Sequence, residues 1–424
     1  MLKRILLVLL VTTPLLAQDA GDIEKCLRAL EEKIAQMQPS NDLAEVKRQI
    51  EILGQEIEAL KTRQTKSVVA NEEQYGLGAA ASKVYRSEPG IAIGGYGEFL
   101  YQKPDAAGEL ATADSLRAVV YTGYKFSDRA IFNSELEVEH ANLERGGNVE
   151  LEFAYLDYLI RPELNVRAGL VLLPVGLTNE QHEPTAFLGA ARPAVEHDII
   201  PTTWSDLGAG VFGDVGPVTY RAFLVTGLDA QGFGAEETIR EGRQAGGEAT
   251  AEDWAVAARA DWHPFEGAMF GGSIYTGDSG QGAGFGGRVT LGEVHAQAKF
   301  RGVSLRGLVA RGSLGDAAAI NDTNGLTGDE SVGKRFGGWY VEGGYDIPRG
   351  EMTFTPYARY EQLDTQMRVP SGFTRNPEND RSIFTVGFAF KPVSQTIIKV
   401  DWQNTDNAAD TGSNQWNVAL GYIF

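Results

Sequence analysis

The chain ends in Asn414-Gln415-Trp416-Asn417-Val418-Ala419-Leu420-Gly421-Tyr422-Ile423-Phe424, and this stretch decides the fold. Side chains alternate across an extended strand, so Trp416, Val418, Leu420, Tyr422 and Phe424 share one face while Gln415, Asn417, Ala419, Gly421 and Ile423 share the other. The first face is apolar with aromatic ends, and the second is small or polar. The segment before it repeats the pattern, with Ile398, Val400 and Trp402 set against Lys399, Asp401 and Gln403. A strand standing between lipid and a water-filled lumen requires this alternation.

Soluble sheets alternate as well, so the connections have to discriminate. Period-two segments start near Gly90, Asp114, Ala130, Asn148, Leu164, Asp206, Pro217, Asp253, Ala268, Arg288, Gly302, Phe336, Met352, Arg381, Val393 and Asn414, sixteen in all. Short turns such as Ser127-Asp128, Pro162-Glu163, Gly216-Pro217 and Arg301-Gly302 alternate with long links, the longest early one spanning 174–205. An even strand number with short turns at one end and long loops at the other is the habit of an outer-membrane barrel. Closure also removes the exposed edges that an open sheet would leave. The expected fold is therefore all-β, a 16-stranded antiparallel transmembrane β-barrel over 90–424, wide enough to hold an aqueous channel.

The front of the chain reads differently. Lys3 and Arg4 precede an apolar run from Ile5 to Leu16 and a small residue at Ala17, the layout of a signal peptide over 1–17. Ile23, Leu27, Leu30, Ile34 and Met37, then Leu43, Val46, Ile50, Leu53, Ile57 and Leu60, step by three and four. That seam predicts an N-terminal α-helical coiled coil over 22–65, with a helical hairpin as the competing reading. Residues 66–89 read as a linker. The coiled coil is expected in the periplasm, as an assembly element or a contact to the cell-wall layer.

Composition narrows the function. The 424 residues carry 38 Lys and Arg against 57 Asp and Glu, a formal charge of −19, which argues against nucleic acid as a partner. The single cysteine, Cys26, permits no internal disulfide. No Ser, His and acid grouping occurs at strand spacing, so an enzyme is disfavoured.

The stretch Tyr155-Leu156-Asp157-Tyr158, Pro162-Glu163-Leu164, Arg167, Gly169, Pro174-Val175-Gly176, Trp204, Leu207-Gly208 and Gly210 resembles the phosphate-selective porin O and P family. Tyr422-Ile423-Phe424 resembles the terminal aromatic signal of bacterial outer-membrane barrels. The resemblance covers roughly 90–424 and implies a trimeric sixteen-stranded channel with a constriction loop after the strand that carries Arg167.

Taking apolar neighbours as lipid-facing, the inward set includes Arg117, Arg167, Arg221, Arg259, Arg288, Arg306, Arg359 and Lys399. Guanidinium groups lining a pore bind and pass anions. An acidic stripe opposes them, Glu135, Glu137 and Glu139 on one strand and Glu150 and Glu152 on the next; if these face inward, Glu135 and Glu137 with them, they either neutralise the arginines or favour cations. The constriction loop offers Glu180, His182, Arg192, His197 and Asp198. No His-x-x-x-His spacing supports a metal site, and no cofactor is expected. Two functions stay open. One is a porin passing small hydrophilic solutes, with anions such as phosphate as candidates. The other is a structural protein tethering the outer membrane to the cell wall.

Overall fold

The computed structural model describes residues 73–106, 108–141 and 146–424. The signal peptide, Cys26 and the coiled coil lie outside these residues.

Strands run in chain order as β1 (Gly90–Pro104), β2 (Thr112–Lys125), β3 (Ala130–Glu139), β4 (Val149–Arg161), β5 (Leu164–Leu172), β6 (Ser205–Val215), β7 (Val218–Thr226), β8 (Trp254–Phe265) and β9 (Ala268–Gly277). They continue as β10 (Val289–Phe300), β11 (Val303–Leu314), β12 (Arg335–Tyr345), β13 (Ile347–Arg349), β14 (Met352–Arg368), β15 (Asp380–Lys391), β16 (Thr396–Asn407) and β17 (Asn414–Ile423). The three residues of β13 prolong β12 along the same edge of β14, so the seventeen segments make sixteen staves. Every neighbour pair is antiparallel, and β1 closes on β17 with Tyr96 opposite Ile423 and Pro104 opposite Gln415. The closing seam reaches the last residue, where Gly95 and Phe424 exchange backbone hydrogen bonds of 3.1 and 2.9 Å.

Burial along β17 shows which side faces lipid. Trp416, Val418 and Leu420 are 50%, 40% and 44% exposed, whereas Asn417 and Ala419 are each 1% exposed. Apolar side chains outside and polar ones inside invert the order of a water-soluble sheet. The same outward apolar row runs through Leu156 and Tyr158 on β4, Leu224 on β7, Ile274 on β9 and Leu305 on β11.

Two segments fill the lumen. Residues 173–204, between β5 and β6, fold inward and bury Val175, Phe187, Val195, Ile199 and Trp204. The second differs from expectation. The described part of the stretch read as a linker is packed: residues 73–87, including helix α1 (Lys83–Arg86), sit against β1, β2 and β3 at the short-turn end, with Leu77, Ala80, Ala81, Val84 and Tyr85 buried. The run from Tyr75 to Ser82 carries no charge, which suits it to that interior. A longer helix, α2 (Ala317–Asn324), lies in the 315–334 loop, and its Ile320 shares a buried cluster with Val289, Leu291 and Leu314.

Candidate functional site

The geometry of the 173–204 loop begins at its neck. Asn179 holds both ends, its Nδ2 donating to the carbonyls of Leu173 and Trp204 at 2.7 and 2.9 Å while its Oδ1 accepts from the Trp204 N–H at 2.7 Å. Gly176 sits at φ +78°, and a Cβ there would lie 2.8 Å from Glu196 Oε2, so glycine is required on both counts. That same Glu196 oxygen accepts from the Leu177 and Thr178 N–H groups at 2.7 Å each, and its other oxygen accepts from Tyr340 on β12 at 2.6 Å.

The loop is then tied across the lumen. Val195 N–H donates to Glu361 on β14, Ala190 N–H to Asp401 on β16 and Lys391 Nζ to the Thr185 carbonyl, at 3.2, 2.7 and 3.0 Å. Arg381 on β15 meets Asp198 at 2.8 Å. Arg240 and Arg243, from the loop between β7 and β8, donate to the carbonyls of Thr202 and Thr203. Charged side chains mid-loop gave no sequence signal for those last two contacts.

The inward arginines are nearly all paired with carboxylates. Arg117 meets Glu98 at 2.9 Å; Arg167 meets Asp157 at 2.8 Å; Arg221 and Arg259 share Asp261 at 2.7 and 2.8 Å. Arg306 meets Glu342 at 2.8 Å, and Arg359 meets Glu361 at 2.7 Å. Glu180, reached by Arg221 at 3.3 Å and Arg259 at 3.9 Å, has its carboxyl raised by burial, with those two arginines opposing. Arg288 departs from the expected row. On β10 the inward residues are Val289, Leu291, Glu293 and His295, and Arg288 instead pairs with Asp278 at 2.7 Å, its side chain 64% exposed.

Two cations break the pattern. Arg192 has no ion pair within 4 Å among the described residues, and its Nε and Nη2 have no hydrogen-bond partner. Burial and then the neighbouring Arg117 lower its pKa, although a guanidinium stays charged. Lys399 Nζ is likewise without a hydrogen bond and lies 3.5 Å from the centre of the Phe187 ring. Arg192 lines a cavity of 330 Å³ with Glu98, Arg117, His197, Arg240 and Arg359, while a second cavity of 500 Å³ lies among Lys299, Arg306, Glu342 and Lys391. Phe187 lines both, which places the divide between them at the loop's centre.

The two loop histidines are held apart. His197 pairs with the adjacent Asp198 at 2.6 Å beside the first cavity. His182 is buried against β3 and β4, 3.2 Å from Glu135 and 3.1 Å from Glu152. Glu137 lies on the same buried inward row as Glu135.

The inserted segment 73–87 completes the lumen. The Ala80 and Ala81 N–H groups donate to Glu183 at 2.8 and 3.1 Å, and Asn133 donates to the Ala81 carbonyl at 3.0 Å. Tyr85 donates to Asp157 at 2.7 Å and accepts from Arg167 at 3.1 Å. Arg167, within the motif that carried the family resemblance, therefore braces this insert as well as the wall.

No family model matches the chain. Among solved structures, OmpF of Salmonella typhi in complex with daunomycin aligns with a TM-score of 0.52 at 12% identity, covering 79% of this chain and 97% of that one. A loop L8 deletion mutant of OmpT, an outer-membrane protein of Vibrio cholerae, gives 0.51 at 11% identity over 79% and 99% of the two chains. The anion-selective porin from Comamonas acidovorans gives 0.50 at 11% over 80% and 100%. These likenesses show the outer-membrane porin fold. An uncharacterized protein of Aquifex aeolicus (strain VF5) is 35% identical over 363 residues, 82% of this chain and 83% of its own. The chain belongs to the family of that Aquifex aeolicus protein, and its barrel has the fold of the outer-membrane porins.

Proposed function

We propose that the protein is a passive outer-membrane channel for small hydrophilic solutes, without catalysis, preferring anions at its constriction. The observation that carries the preference is the pair of cations, Arg192 and Lys399, left without carboxylate partners beside the divide at Phe187. The other inward arginines are neutralised locally by Glu98, Asp157, Asp261, Glu342 and Glu361, so they add little net field along the path. Fork-shaped donors on Arg192 suit oxyanions such as phosphate, in keeping with the resemblance to the phosphate-selective O and P type. A homotrimer and a periplasmic coiled coil over 22–65 belong to the same reading.

The test is single-channel current of the purified protein in a planar bilayer under a KCl gradient, repeated with phosphate added. The expected result is a reversal potential on the anion side and current reduced by phosphate. Cation preference would refute the assignment, and a silent bilayer would favour the tethering role.

A further inference from the structure

The sequence gives no metal motif, yet the fold assembles one. We propose that Glu135, Glu152 and His182 form a binding site for a borderline divalent cation of the Zn²⁺ type, which fastens the constriction loop to the barrel wall.

The ligand atoms of these three residues lie within 4.8 Å of one another, and all three side chains are buried. His182 Nε2 is 3.2 Å from Glu135 Oε1 and 3.1 Å from Glu152 Oε2. A tetrahedral ion with bonds of about 2.0–2.1 Å spaces its ligands about 3.3 Å apart, so these separations already match.

The imidazole is oriented for the role. Its Nδ1 faces the Asn179 carbonyl at 2.8 Å; a carbonyl only accepts, so Nδ1 carries a proton and donates. Metal-binding histidines are fixed in this way by a backbone carbonyl on the other ring nitrogen. Nε2 then points at two carboxylates at once, and a single Nε2–H can serve only one. Glu152 Oε2 accordingly has no hydrogen bond, although Glu152 Oε1 accepts from Thr203 at 2.7 Å.

An independent observation is the surplus of unsatisfied carboxylate oxygen aimed at the same place. Glu135 Oε2 and both oxygens of Glu137 are buried without hydrogen-bond partners; the nearest cationic nitrogen to Glu137 is Arg117 Nη1 at 3.9 Å. Arg117 is already committed to Glu98 by two hydrogen bonds of 2.9 and 3.1 Å. Glu137, Glu150 and Glu152 form a second convergent group sharing Glu152 with the first. Buried carboxylates are paired or coordinate metals, and Arg117 and His182, the cationic groups within 4 Å of Glu135, Glu137 and Glu152 among the described residues, do not suffice for all three. One imidazole with two carboxylates matches a borderline ion better than Mg²⁺ or Ca²⁺, which take all-oxygen sets.

The consequence is mechanical. Glu135 and Glu152 stand on adjacent strands β3 and β4, whereas His182 belongs to the loop. A cation shared among them would tie that half of the loop to the wall, opposite its attachments to Glu361 and Asp401.

The full-length untagged protein, folded in detergent and stripped with a chelator, is titrated with ZnCl₂ by calorimetry, and zinc retained after desalting is measured by mass spectrometry. About one zinc per chain is expected, with Mg²⁺ and Ca²⁺ unable to displace it at equal concentration. Glu152→Gln and His182→Gln should each weaken binding at least tenfold, and Glu237→Gln, at the separate His197, Asp198 and Glu237 group, should leave it unchanged. Absence of stoichiometric uptake by the unsubstituted protein overturns the proposal, leaving a His and Glu hydrogen-bonded cluster only. Uptake that survives both substitutions, or that is lost in Glu237→Gln, overturns the location; preference for Ca²⁺ or Mg²⁺ overturns the class of ion. The titration of the unsubstituted protein decides the first question even where a variant fails to fold.

Discussion

On the proposed reading of the constriction, Arg192→Glu should move ion preference toward cations. Arg192 lines a cavity of 330 Å³, which as a sphere has a radius of about 4 Å, so a permeating ion passes on the order of 5 Å from the guanidinium. One unit charge at that distance in water contributes ~0.8 kcal/mol, which screening at 0.1 M salt reduces to ~0.5. Charge reversal changes two units, ~1 kcal/mol, or about fivefold in the passage of each ion, in opposite directions for cation and anion. The permeability ratio should therefore shift between about fivefold and 25-fold, and Arg192→Gln should give about half that free energy. The assay is the zero-current potential across a planar bilayer under a KCl gradient. Arg288→Glu supplies the contrast: it makes the same charge change at an exposed residue off the inward row. An unmoved potential for Arg192→Glu, or an equal shift for Arg288→Glu, would refute the assignment of ion preference to the constriction.

Three further outcomes follow from the same contacts. Arg167→Ala leaves Asp157 buried with only Tyr85 as hydrogen-bond donor, so it should cost about 3–5 kcal/mol, whereas Arg167→Met with Asp157→Leu should recover most of that; urea unfolding followed by gel mobility measures both. Removing residues 18–87 should raise single-channel conductance above that of a chain lacking only 18–65, because 73–87 occupy the lumen; equal conductances would show that this insert lies clear of the ion path. Gly176→Ala forces a non-glycine residue to φ +78° and crowds Glu196, costing about 1–2 kcal/mol at the loop neck, and should appear as increased current noise rather than lost insertion.

The barrel was legible because its signal is local. Alternation with a period of two needs only the neighbours of each residue, and the expected strand starts fall within three residues of the observed ones, from Gly90 to the displaced pair Val393 and Thr396. Arg288 shows where that rule fails. Apolar residues face lipid only where the lumen is wet; at the loop end of β10 the interior is packed with Leu314 and Ile320, so Val289 and Leu291 turn inward and Arg288 turns out. The filling of the lumen was hidden for a different reason. Glu135 and His182 are 47 positions apart, Tyr85 and Asp157 are 72, and no periodicity links such residues.

These hidden contacts set the width of the path. The constriction loop is held on one side by Tyr340, Glu361 and Asp401, all through single hydrogen bonds to buried carboxylates or a buried hydroxyl. On its other side it meets Glu135 and Glu152 through His182, and the inserted segment through Glu183. Buried polar contacts of this kind are costly to leave half-made, so each specifies one position of the loop rather than a range. An apolar seam would tolerate sliding by fractions of a residue; a carboxylate receiving two N–H groups, as Glu196 and Glu183 do, does not. It follows that breaking one anchor should broaden the distribution of conductance states before it lowers barrel stability, since the sixteen-stave hydrogen-bond ladder does not pass through the loop.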